Sequence, residues 1–124
     1  MLRINLGNIE RALTRAFTET SEGLEQHLVG MFDDPVWGWP NQTKRQNGQV
    51  VGSPRNIVDG GDLRGSQTLE FPAVGVASLE WSVPYASSVF LGGGPNLPAR
   101  NLPLLGLREF NFPQKFAIKA RALL

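Results

Sequence analysis

The chain has 124 residues, with 12 basic and 11 acidic side chains and a formal charge of +1. That is the length of one ordinary domain, and the balance makes no electrostatic case for tight binding to DNA or to a membrane surface. It holds no cysteine and a single histidine, His27, which excludes disulfides, thiolate metal sites and any two-histidine centre within the chain.

No apolar run approaches the ~20 residues that span a bilayer, and the opening MLRINLGNIERALTR lacks the apolar block of a signal peptide. A soluble protein made in cytoplasm is expected, so the sequon Asn41-Gln42-Thr43 is discounted.

Residues 8 to 32 carry the clearest periodicity. Ile9, Leu13, Phe17, Leu24, Leu28 and Met31 recur at three- and four-residue steps, with Thr20 in the same stripe. That predicts a long amphipathic helix laying one face on a sheet. Arg11, Arg15, Glu22 and Glu25 fall off the stripe. Asn5 or Asn8 suits the N-cap, and Gly30 and Pro35 bracket the end.

Pro35, Pro40 and Pro54 exclude regular helix from residues 33 to 55. Asn47-Gly48, between Thr43–Gln46 and Gln49–Val51, predicts a two-residue hairpin turn. The hairpin has little to bury and should project, carrying Lys44 and Arg45. Trp37 and Trp39 stand two apart. In an extended segment both point one way, either as cover over the sheet or as exposed anchors for a partner.

PRNIVDGGDLRGSQ, residues 54 to 67, is the most suggestive stretch. Asp59 suits an N-cap, with Asp62 returning a bond in the capping-box manner. Gly60 and Gly61 permit a sharp entry, Leu63 plugs the core and Ser66 opens a strand. Residues 66 to 83 then read as two alternating strands joined around Pro72–Gly75. PYASSVFL, 84 to 91, is a helical turn or a third strand, and GGGPNLPARN, 92 to 101, a long loop. Leu102–Phe110 mixes apolar residues with Pro103 and Gly106. Asn111-Phe112-Pro113 looks like a helix entry, and the tail 111–124 reads as a closing helix or strand.

Little of this points to catalysis. Asp59 and Asp62 fall short of a calcium loop. Gly60, Gly61 and Gly65 lack the lysine and the preceding strand of a phosphate-binding loop. There is no nucleophile elbow, and the carboxylate pairs Asp33-Asp34 and Asp59/Asp62 sit where turns favour aspartate. No catalytic residue, metal or cofactor is expected.

The same stretch resembles the Asp-Thr-Gly-x-Leu-x-x-Ser signature of the neck and tail-completion proteins of long-tailed bacteriophages, through Asp59, Gly61, Leu63 and Ser66. Trp37-Gly38-Trp39-Pro40 followed by Thr43-Lys44-Arg45 and Asn47-Gly48 is similar to the segment before that signature in one branch. Tyr85, Ala86, Val89 and Gly92 resemble its Tyr-Ala-x-x-Val-x-x-Gly element, and Pro98, Ala99 and Arg100 its Pro-Ala-Arg-Pro element. Gly60 replaces the usual threonine and Asn101 the usual last proline. The resemblance spans roughly residues 35 to 105.

It implies an α+β fold in one domain, 1–124: a helix over about 8–32 packed on a small antiparallel sheet, a projecting hairpin and loop at 33–58, sheet and loops at 59–110, and a tail at 111–124. It also implies a virion protein of the neck, assembled in the host cytoplasm. Such a subunit forms a homo-oligomeric ring, expected to be a hexamer, that terminates the tail tube and meets the head connector. DNA passes through the lumen without specific binding. Asp59, Gly61, Leu63, Ser66, Tyr85, Ala86, Gly92, Ala99 and Arg100 would set the fold and part of the ring contact. Trp37, Trp39, Lys44 and Arg45 are candidate partner contacts. Two rivals remain: a head-completion or adaptor protein bound to the portal, and a nucleic-acid module using Lys44, Arg45, Arg55 and Arg64 as a basic patch with both tryptophans for stacking.

Overall fold

The computed structural model describes residues 2–38, 42–45, 47–53, 55–58, 61–92 and 99–124. The fold is α+β, with a long N-terminal helix, two small antiparallel two-stranded sheets and further helices.

Helix α1 spans Leu6–Met31. Asn5 caps it: its extended backbone turns the side chain so that Oδ1 accepts from Asn8 N at 3.1 Å, which satisfies one of the four orphan donors of a helix start. Thr20 and Ser21 are buried in mid-helix. Each hydroxyl is satisfied locally, Thr20 Oγ1 donating to Ala16 O at 2.7 Å and Ser21 Oγ to Phe17 O at 2.8 Å, so neither pays for an unpaired polar group.

Strand β1 (Thr43–Lys44) pairs with β2 (Val50–Val51). The register leaves three residues between Arg45 and Gln49, not the expected two: Arg45 N donates to Gln49 O and Gly48 N to Arg45 O, both at 2.9 Å. Gly48 takes the left-handed conformation (φ 86°) that this longer turn needs and other residues resist.

A four-residue helix, α2 (Asp62–Gly65), leads into β3 (Gln67–Ala73), which pairs with β4 (Val76–Trp81) around Val74-Gly75. The register shifts between Glu70 and Ala73, around Pro72, which lacks the N–H a ladder position needs. Residues 86–91 form a helix, α3 (Ala86–Leu91), not a third strand.

The chain from Leu102 onward is helical. Helix α4 (Leu102–Phe110) lies in a region expected to be sheet and loops, and α5 (Phe112–Leu123) is the closing element. Pro103 did not prevent α4, because it falls in the first turn where a missing N–H costs nothing. Asn101 caps that turn, its Oδ1 accepting from Leu104 N at 3.2 Å. Asn111, in the left-handed region at φ 53°, makes the corner between the two helices.

These helices share α1 with the sheet. Gly106 packs on Leu28 and Met31, Phe110 on Gly23 and His27, and Phe112 and Phe116 on Phe17. So α4 and α5 run end to end, antiparallel to α1. β3 also runs antiparallel to it, with Gln67 Nε2 donating to Glu25 O at 2.9 Å and Phe71 against Phe17 at 6.4 Å. The core gathers at the C-terminal half of α1, where Leu24, Leu28, Met31 and Phe32 meet Ile57, Leu63, Phe90 and Leu102. Leu13, on the same stripe, stays 37% exposed, since the stripe extends beyond what this core covers.

Gly106 and Gly30 make opposite predictions. A Cβ on Gly106 would lie 2.2 Å from Leu28 Cδ2 and 2.8 Å from Met31 Sδ, whereas one on Gly30 meets nothing within 4 Å. Gly106→Ala should destabilise by about 1–3 kcal/mol despite the better helix propensity, and Gly30→Ala should stabilise by up to about 1 kcal/mol. Urea midpoints of the two variants check both signs.

Candidate functional site

The residues singled out in the sequence fall on four segments, three of which converge. Asp59 lies outside the described residues, so its expected capping role concerns a position not described. The N-cap of α2 is Gly61, in the left-handed region at φ 84°, and no side chain among the described residues caps that helix. Asp62 is the first residue of α2, and the bond it was expected to return to Asp59 concerns a position outside the described residues. Gly61 is a glycine for conformational reasons. Leu63 inserts into the core, as expected of the plug. Ser66 ends α2 rather than opening β3, its Oγ donating to Leu63 O at 2.8 Å. Arg64 reaches Asp33 just past α1, with Nη1–Oδ1 at 2.6 Å.

The second segment is α3 and its ends. Ala86 is buried in the core beside Phe90. Tyr85 stands at the N-cap with its ring side exposed, and its carbonyl accepts from Val89 N at 3.1 Å. Gly92 ends the helix at φ 89°, ψ 141°, a conformation open in practice to glycine alone. The third segment joins here. Arg100 N donates to Val89 O at 3.2 Å, and Leu102, two residues on, is fully buried. Ala99 is exposed. Residues 93–98, most of the long loop, lie outside the described residues.

The hairpin segment behaves differently from its sequence reading. Trp37 is half-buried against the core, its backbone bridged to Arg55 by two 2.9 Å bonds. Its Nε1 is buried with no hydrogen-bond partner among the described residues. It covers the core and is no free anchor; Trp39 lies outside the described residues. Lys44 is exposed. Arg45 is half-buried, and its Nη2 donates to Asn56 O at 3.0 Å and to Asn56 Oδ1 at 2.6 Å.

Arg55 is the residue the sequence reading undervalued. Only 7% exposed, its guanidinium donates to Val51 O at 2.7 Å, to Gly52 O at 2.6 Å and to the Thr43 hydroxyl. One side chain thus holds both strands of the β1–β2 hairpin and the turn behind them. The planar fork of arginine suits this, offering several donors in fixed directions. Burial, and then the Arg45 charge, push its pKa down. Burial likewise pushes Arg100 down to about 10, with Arg55 as the lesser cause, so Arg100 keeps its charge at neutral pH. Arg45, Arg55 and Arg100 therefore share one region.

The four cations of the expected basic patch sit in different surroundings. Arg55 is buried, Arg45 is bonded to Asn56 and Arg64 is paired with Asp33. Of the four cations in the nucleic-acid reading, only Lys44 stands exposed. An open groove lined by Asn8, Arg11, Ala12, Arg15, Leu123 and Leu124 lies at the other end of α1. No helix among the described residues is long and apolar enough to cross a membrane.

The chain matches no family model, no curated protein and no solved structure.

Replacing Arg55 separates anchoring from exposure. Arg55→Met should cost about 2–3 kcal/mol, the worth of charged hydrogen bonds to groups left unpaired, and should speed amide exchange of the Arg45, Gly48 and Val51 N–H groups. Lys44→Ala, on the same hairpin but exposed, should stay within about 0.5 kcal/mol.

Proposed function

We propose that the chain is a structural subunit of the neck of a long-tailed bacteriophage, forming a ring that terminates the tail tube and joins it to the head connector. One observation carries the reading. The separate stretches of sequence that resemble the neck and tail-completion proteins meet at one place in the fold: Leu63 and Ala86 share a core, and Arg100 is hydrogen-bonded to Val89 between Ala86 and Gly92. That motifs far apart in sequence meet in space supports the reading.

The mechanism is geometric. Subunits meet head to tail around a closed axis through heterologous contacts, and the closed ring presents one face to the tube and the other to the connector. Of the motif residues, the buried ones shape the subunit. Lys44 and Ala99 are exposed and are left for neighbours. The hairpin enters as a clamped ridge: Arg55 and Arg45 hold its base, while Lys44 and Val50 face solvent.

Removing the hairpin outright would strip Arg55 of its acceptors, so point changes test the reading more cleanly. Lys44→Glu and Val50→Asp should leave circular dichroism unchanged and weaken binding to purified tail-tube ends at least tenfold. Electron microscopy of tubes mixed with the wild-type chain should show capped ends. A wild-type chain that ignores tubes and binds portal rings would sink the terminator role in favour of a head adaptor.

A further inference from the structure

The β3–β4 hairpin is a two-stranded sheet with no third strand among the described residues. Its far end is apolar and open, with Phe71 42%, Val74 86% and Val76 47% exposed. A two-stranded sheet is marginal in isolation, and its free edges invite another strand. The edges are not equivalent. β3 is broken by Pro72 and the register shift beside it, whereas β4 has neither.

The two faces of this sheet also differ. Leu69, Leu79 and Trp81 lie on one face, towards the core. Thr68, Glu70, Ser78 and Glu80 share the other, since Thr68 pairs with Glu80 and Glu70 with Ser78. Glu70 and Glu80 are the only charged residues between positions 66 and 99. The outward face is therefore purely acidic.

The chain carries a segment of matching shape and opposite charge. Residues 2–5 precede α1 without helix or strand, and Leu2 (85%), Ile4 (65%) and Leu6 (66%) are exposed at alternate positions around Arg3 and Asn5. Alternation puts Leu2 and Ile4 on one side of an extended strand and Arg3 on the other. Residues 1–15 contain Arg3, Arg11 and Arg15 against one acid, Glu10. The chain's own hairpin is not the acceptor, for the arm leaves it uncovered.

We propose that the N-terminal arm of one copy of this chain adds as a third strand to the outer edge of β4 in a second copy. Leu2 and Ile4 then lie on the core-facing side, beside Leu79 and Trp81. Arg3 falls on the acidic side beside Glu80. Main-chain bonds supply the affinity and the alternating side chains the register. Each chain has one arm and one such edge, so the contact makes a reciprocal pair, a head-to-tail ring or an open filament. It would serve a neck ring, but its grounds are independent of tail tubes.

Sedimentation equilibrium over a concentration series tests this with the full chain. The wild type should associate. Ile4→Asp should weaken association more than tenfold. Arg3→Glu and Glu80→Lys should each weaken it by about fivefold, and the double variant Arg3→Glu/Glu80→Lys should recover most of that loss. The three positions are exposed, so circular dichroism should not change. A wild type that stays monomeric, single variants that leave the mass distribution untouched, or a double variant no better than its parents would each overturn the proposal. Tube binding is read separately: a chain that caps tubes while Ile4→Asp changes nothing refutes the arm contact alone, and one that associates through the arm but ignores tubes refutes the terminator reading alone.

Discussion

Where α4 meets the C-terminal half of α1, Gly106 leaves room for Leu28 and Met31 and for nothing more, a Cβ there falling 2.2 Å from Leu28 Cδ2. That close approach sets the position of the last quarter of the chain. It brings Leu102 and Phe110 into the same core as Leu24, Leu28 and Phe32, and from there the corner at Asn111 lays α5 back along α1. The helix that looked like the cover of a sheet is in fact shared between a sheet and a helical arm. Dispersion and burial depend on such complementary shapes, which is why one missing side chain on α4 matters as much as the large ones facing it.

The other half of the fold is held by polar forces. The segments around the β1–β2 hairpin have few apolar groups, and no packed core could order them. Arg55 does so from below, with donors spread over Thr43, Val51 and Gly52, and Arg45 adds a second tie to Asn56. Burying these cations has a cost, visible in the lowered pKa values of Arg55 and Arg100. The bonds they make offset it. The result is a rigid base beneath an exposed ridge, a form suited to presenting a contact surface without folding around a ligand.

Away from this core, Phe17 gathers Phe71, Phe112 and Phe116 at centroid distances of 6.4, 5.7 and 6.4 Å. This aromatic group lies where α1, β3 and α5 meet, and it passes outward into the open end of the β3–β4 hairpin. The fold therefore has a closed end, near the three converging motifs, and an apolar end left partly uncovered. Large exposed apolar surface on a small domain commonly marks a place of association.

Local chemistry made much of this legible. The spacing of Leu24, Leu28 and Met31 showed α1, Pro72–Gly75 between alternating runs showed the β3–β4 pair, and Leu63 showed itself as a plug, because each depends on neighbours within one or two turns of chain. Helix α4 was hidden by Pro103 and Gly106, residues that break helices in general but are harmless here, one in a first turn and one under Leu28. Leu13 kept the periodicity of its stripe and still stayed open, since a pattern reports which side is apolar and not how far a partner extends. The burial of Arg55 and the pairing of Arg45 and Arg64 were decided by tertiary structure alone. A charged side chain takes its role from the carbonyls and carboxylates that other segments bring to it, and those partners lie up to 31 residues away in the chain, as Asp33 does from Arg64.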